Sequence, residues 1–215
     1  KGELCFDRGI LGEIVNLSSL TCLQQSVMNF GILMVQGLVN SFGATVMAAF
    51  AAAVKIDTFA YLPVQDFGNA FSTFVAQNYG AGNKERIRKG TRVAFAMSIG
   101  FSVVISVLVC LFAGPLMKIF VSGKEVAVIA EGVKYLRIEG AFYLGIGCLF
   151  LLYGYYRAIK RAEMSVVLTV ISLGLRVLLA YVLSAVVGEV GIWVAIPIGW
   201  VMADVTGIVY MRRTW

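Results

Sequence analysis

The stretch FVAQNYGAGNKERIRKGTR, residues 74–92, runs from apolar residues through a glycine-rich corner into a dense basic cluster. It suits a phosphate-cradling loop, a nucleic-acid patch or a turn at a membrane surface. The glycines lack the GxxxxGK[ST] order of a P-loop, and no strand precedes them. No aromatic residue is interleaved among the basic ones, as a single-stranded nucleic-acid platform needs. The surrounding chain favours the membrane turn. Of its 215 residues 60% are hydrophobic and only 14% charged, and the mean hydropathy is +0.86. Soluble domains carry about 25% charged residues, and so much apolar surface cannot be hidden in one aqueous core.

A spanning helix needs about 20 mostly apolar residues. Six such segments are predicted, at 17–39, 44–79, 92–120, 132–157, 164–186 and 190–210. No charge separates Glu13 from Lys55, so NSFGAT (40–45) reads as a tight hairpin turn between the first two. Pro63, Pro115 and Pro197 fall inside segments and predict kinks, because proline removes a donor and clashes one turn back. The fold class is all-α integral membrane, a six-transmembrane-helix bundle over residues 1–215.

The loops set the orientation. Lys84, Arg86, Arg88, Lys89 and Arg92 follow the second span; Arg157, Lys160 and Arg161 follow the fourth; Arg212 and Arg213 end the chain. Basic residues accumulate on the cytoplasmic side, so both termini are expected there. The opening KGELCFDRGILGEIV has no signal-peptide shape and reads as the middle of a longer chain. Cys5, Cys22, Cys110 and Cys148 form no CxxC pair and histidine is absent, so no metal, haem or other cofactor is expected. The same absences, with no nucleophile–base pair, leave an enzyme without machinery.

Charged and amide residues at membrane depth face a cavity or a partner. Asp66, Asn69, Thr73 and Gln77 lie at i, i+3, i+7 and i+11, on one face of the second span. That face is either a cavity wall, with Asp66 its leading functional member, or interhelical hydrogen-bonding glue. The first span carries a comparable stripe that includes Gln25, Asn29, Gln36 and Asn40, with the same two readings. Arg176 needs a partner; it forms either a structural ion pair with Asp204 or part of a substrate site. Lys55, Asp57 and Glu139 are read as lying near the outer ends of their helices, where they snorkel, and Asp57 is also kept as a pathway candidate. Trp193, Trp200 and Trp215, with Tyr153, Tyr155 and Tyr156, suit interface belts.

The run LVNSFGATVMAAFAAAVKIDTFAYLPVQDFGNAFSTFVAQNYGAGNKERIRKG, with GYYRAIKRAE at 154–163, resembles the multidrug and toxic compound extrusion (MATE) transporters. It is most similar to the second half of the DNA-damage-inducible-F-like branch. The resemblance implies a C-terminal six-helix lobe of a twelve-helix transporter in the bacterial plasma (inner) membrane. The partners would be the bilayer and an N-terminal lobe, or a second copy. The implied activity is secondary-active export of amphipathic organic cations, with no nucleic acid involved. Sodium-coupled relatives carry acids where this chain has Met28–Asn29 and the region around Ile146; their absence points to H+ rather than Na+ as the coupling ion. A lipid-linked oligosaccharide flippase of the same superfamily and a non-transporting structural lobe are the alternatives.

Overall fold

A computed structural model describes residues 8–214; Cys5 and Trp215 lie outside them. Seven helices follow one another: α1 (Arg8–Asn40), α2 (Ala44–Gly80), α3 (Lys84–Phe120), α4 (Val126–Gly140), α5 (Tyr143–Ala158), α6 (Ala162–Val187) and α7 (Glu189–Thr214). Five are long and apolar enough to cross a membrane, and α4 with α5, taken together as one bent pair, is long and apolar enough for a sixth.

The predicted turns are present. Residues 41–43 form the α1–α2 corner, with Gly43 at φ 96°, a left-handed conformation glycine adopts without a Cβ penalty. In the opening stretch Gly82 turns at φ 69°. Asn83 then caps α3, its side-chain oxygen accepting from the Arg86 amide at 3.1 Å, as a helix N-cap should. Helical structure continues past the apolar segments: α1 and α3 begin at Arg8 and Lys84, ahead of the predicted spans at 17 and 92. In α3 the dihedrals leave the helical range at Phe112 (φ −100°, ψ 15°), three residues ahead of Pro115, where a proline ring crowds the preceding turn. α2 and α7 continue through Pro63 and Pro197 as single helices.

The fourth span departs from expectation. It is two helices bent by 52°. The Phe142 amide donates to Glu139 O at 2.9 Å and the Gly145 amide to Phe142 O at 2.8 Å. These tight i→i+3 bonds replace the α-helical pattern and turn the chain.

α5 is the central helix, packed against α2, α3, α6 and α7. Its glycines admit neighbours closely. A Cβ at Gly145 would meet Trp200 of α7, one at Gly147 would meet Ser102 and Ser98 of α3, and one at Gly154 would lie 2.5 Å from the Gly68 carbonyl of α2. Small residues let membrane helices approach in this way. The expected aromatic belt is partly core instead. Trp193 is fully buried, stacked on Phe50 at 5.5 Å and edge-on to Tyr135 at 4.8 Å. Its indole N–H donates to Glu131 at 3.3 Å. Trp200, Tyr153, Tyr155 and Tyr156 are buried too.

α1 packs mainly on α6, and α2 on α5, leaving an open face between α1 and α2. The three basic clusters converge on one end of the bundle. Arg88 and Arg161 line one depression there, and Arg88, Arg92 and Arg212 another.

Candidate functional site

The open face leads into a cavity of about 570 Å³. Its walls come from α1 (Gln36), α2 (Lys55, Asp57), α4 (Glu139) and α6 (Arg176), with Tyr61, Phe150 and Trp200 among its aromatic lining. Such a mixture, mostly apolar with a few convergent polar groups, is the usual make-up of a small-molecule site.

Two carboxylates dominate it. Asp57 is 2% exposed and Glu139 3%. The Tyr143 hydroxyl donates to Asp57 Oδ1. Glu139 and Tyr135 line the same cavity beside Asp57. Asp57 Oδ2 has no donor. Two carboxyl groups buried in one cavity wall make a place where positive charge is favoured. The local fold makes the cluster. The break at 141–142 places Glu139 at the end of α4 and Tyr143 at the start of α5, both against the middle of α2.

Glu139 is therefore not an interfacial residue, as the sequence reading had it. That reading measured depth along one continuous helix, and the break carries the side chain inward. Asp57 likewise does not snorkel, while Lys55 is exposed at the cavity rim with its ammonium 6.0 Å from the Phe120 ring centroid.

Arg176 and Asp204 form no ion pair. Arg176 faces the cavity, where its charge acts on Glu139 and Tyr135, and its Nε has no partner. Asp204 is buried on another side, its carboxylate beside Gly145 of α5, with Oδ1 unpartnered. The two residues lie on different faces, which depth along the sequence could not show.

The amide stripes divide. Gln36 lines the main cavity. Gln25 and Asn69 line a smaller pocket of about 230 Å³ between α1, α2 and α5, where Arg157 Nη2 donates to Asn69 Oδ1 at 3.1 Å. Asn29, Asp66, Thr73 and Gln77 are exposed and line neither. Thr73 only donates back to Asn69 O at 3.4 Å. Asp66 thus sits on the outer surface of the lobe rather than at the carboxylate cluster. Tyr143 and Glu139 are the site members that sequence reasoning missed. Their signal was the i, i+4 spacing across GAFY, which spans the helix break.

Known proteins share this architecture. A solved MATE transporter in complex with MaL6 superposes with a TM-score of 0.92, at 21% identity, over 98% of this chain and 48% of that one. An outward-facing multidrug resistance MATE family transporter of the MOP superfamily gives 0.92 at 20% identity, covering 99% and 48%. At these identities the likeness concerns the fold. "Probable multidrug resistance protein YpnP" of Bacillus subtilis is 30% identical over 200 residues, 93% of this chain and 44% of that protein. The chain thus spans less than half the length of this relative. A lobe of stacked apolar helices, a central glycine-bearing helix and an intramembrane cavity fit the remaining finding: the MatE family model matches residues 20–182, and the chain belongs to that family of multidrug and toxic compound extrusion transporters.

Proposed function

We propose that this chain forms one lobe of an exporter of amphipathic organic cations driven by proton antiport. The observation that carries the reading is the buried pair Asp57–Glu139 at the wall of the main cavity, with one oxygen unpartnered. Proton and organic cation both neutralise this pair, and each makes the other's binding less favourable. That is the differential affinity by which one ligand shifts the states seen by another. Tyr143 holds Asp57 in place through its hydroxyl. Arg176 and Lys55 bring the positive charge that keeps the empty site from accumulating net negative charge.

The exposed stripe of Asp66, Thr73 and Gln77 fits a surface covered by a second lobe, either the other half of a longer polypeptide or another copy. A polar stripe facing lipid would be very unfavourable. The convergence of basic residues on one end supports cytoplasmic termini and a location in the bacterial inner membrane. Two acids at the cavity wall disfavour a lipid pyrophosphate as cargo.

The test is dye export from proteoliposomes holding the native polypeptide that carries these residues, under an imposed proton gradient. Asp57→Asn and Glu139→Gln are expected to abolish gradient-driven export. Asp66→Asn is expected to retain it. Full gradient-driven export by Asp57→Asn would remove the pair from the mechanism.

A further inference from the structure

At the basic end of the bundle, α3 and α7 stand apart, both held by α5, and the gap between them is a pocket of about 640 Å³. Each helix turns one face to it. Arg88, Thr91, Arg92 and Phe95 lie at i, i+3, i+4 and i+7 on α3, and Ile208, Met211 and Arg212 at i, i+3 and i+4 on α7. These are the spacings of a single helical face. α7 is pinned here by the Tyr156 hydroxyl, which donates to Gly207 O at 2.6 Å, and by a Gly207 whose Cβ would strike Leu152. The pocket is therefore a built gap rather than loose packing.

The chemistry of the gap has two levels. Three guanidinium groups stand at its mouth, and no carboxylate lines it. Among the described residues none of the three arginines is in an ion pair, whereas the neighbouring Lys89 is bound to Glu85 at 2.8 Å. Further in, Thr91 is 4% exposed and its hydroxyl has no hydrogen-bond partner. Most helical threonines bond their own preceding turn, as Thr21, Thr58 and Thr169 do here. Phe95, Ile208 and Met211 complete an apolar wall, and on α7 it continues into the exposed side chains of Val205 and Val209.

We propose that this pocket binds the phosphate of an anionic phospholipid, with the arginines on the headgroup and an acyl chain along the apolar wall. Guanidinium groups recognise phosphate oxygens in fork geometry, and basic pockets between membrane helices hold anionic headgroups. The lipid, rather than a soluble phosphate, is the source because the apolar wall of the pocket runs on into exposed apolar side chains of α7. Arg88 and Arg92 lie one and two turns into α3, and Arg212 half a turn from the end of α7, at the level of a headgroup layer. The bound lipid bridges two helices that have little direct packing at this end. This reading does not depend on the transported substrate or on the coupling ion.

The test is native mass spectrometry of the native polypeptide carrying these residues, titrated with phosphatidylglycerol and with phosphatidylcholine. Phosphatidylglycerol adducts are expected to be the more persistent. The R88A/R92A/R212A variant is expected to lose them, about fivefold for each arginine removed. The control R86A/K84A/K89A removes the same charge from the same end, outside the pocket, and is expected to keep them. Thr91→Val is expected to weaken binding without altering the charge. Equal retention of both lipids by the unmodified protein would overturn the proposal, without recourse to any variant. So would equal losses in the two triple variants, which would mean diffuse attraction. Displacement of the lipid by inorganic phosphate at concentrations that leave the phosphatidylcholine adducts intact would assign the pocket to a soluble anion instead.

Discussion

Gly154→Ala offers the sharpest test of how the lobe holds its carboxylate pair. α2 and α5 cross so closely that a Cβ at Gly154 would lie 2.5 Å from the Gly68 carbonyl oxygen and 3.4 Å from the Ser72 Cβ, when real Cβ atoms essentially never come within 3.0 Å. The nearest atom is backbone, so no side chain can rotate out of the way. The helices must part by about 0.5 Å to reach the closest tolerated contact and about 0.9 Å to reach an ordinary one. Overpacking of this kind costs about 1–3 kcal/mol, and the better helix propensity of alanine offsets up to about 1 kcal/mol. The net expectation is a loss of about 1–2 kcal/mol. The strain also reaches the site. Gly68 lies eleven residues beyond Asp57 on α2, and Gly154 eleven beyond Tyr143 on α5, so the two helices run parallel and in step. Separation at the glycines therefore pulls on the Tyr143–Asp57 hydrogen bond about 16 Å away along the axis. The assay is equilibrium unfolding in mixed micelles, with dye export measured beside it. Gly174→Ala is the control, because nothing lies within 4 Å of its Cβ position on α6; it should be neutral or slightly stabilising. A Gly154→Ala protein as stable as Gly174→Ala, with undiminished export, would refute the close crossing and its link to the carboxylates.

Three further outcomes are expected. Arg176→Gln and Asp204→Asn should be additive in stability to within about 0.5 kcal/mol, as independent sites are; a larger coupling in a double-mutant cycle would restore the ion pair the structure lacks. Trp193→Phe keeps the stacking on Phe50 but leaves Glu131 without the indole donor, and should cost about 1–2 kcal/mol in unfolding experiments. Cysteine replacing Thr73 in a cysteine-free background should react with a membrane-impermeant maleimide in intact membranes, while one replacing Val104 should not. Equal labelling of the two would show that the polar stripe of α2 does not border water.

What the sequence made legible, and what it hid, follows from how far each signal reaches. Hydropathy is a local sum, so six apolar segments, the 41–43 corner and the glycine turn before Lys84 were all readable. The break at 141–142 was hidden because Gly140, Ala141 and Phe142 carry no proline, and a run without polar punctuation looks like one helix. That single omission displaced Glu139 toward the membrane surface on paper, when the chain turns it against Asp57. It also concealed Tyr143, an unremarkable aromatic until its hydroxyl is placed on a carboxylate. The stripe at Asp66 shows the complementary difficulty. Helical period identifies residues that share a face, but it cannot say which face of the bundle that is. The most conspicuous acid of α2 proved to lie on the outside of the lobe. The less conspicuous one, within VKIDTF, proved to lie at the cavity. Charges buried in a membrane must find partners, and partners come from elements distant in sequence. Asp57 and Tyr143 are 86 residues apart. Only three-dimensional packing distinguishes Asp57, which has such a partner, from Arg176 and Asp204, which matched each other in charge yet leave Nε and Oδ1 unpartnered. For this lobe, fold follows from the composition of segments, while the chemistry rests on a bend and two helix crossings that composition does not record.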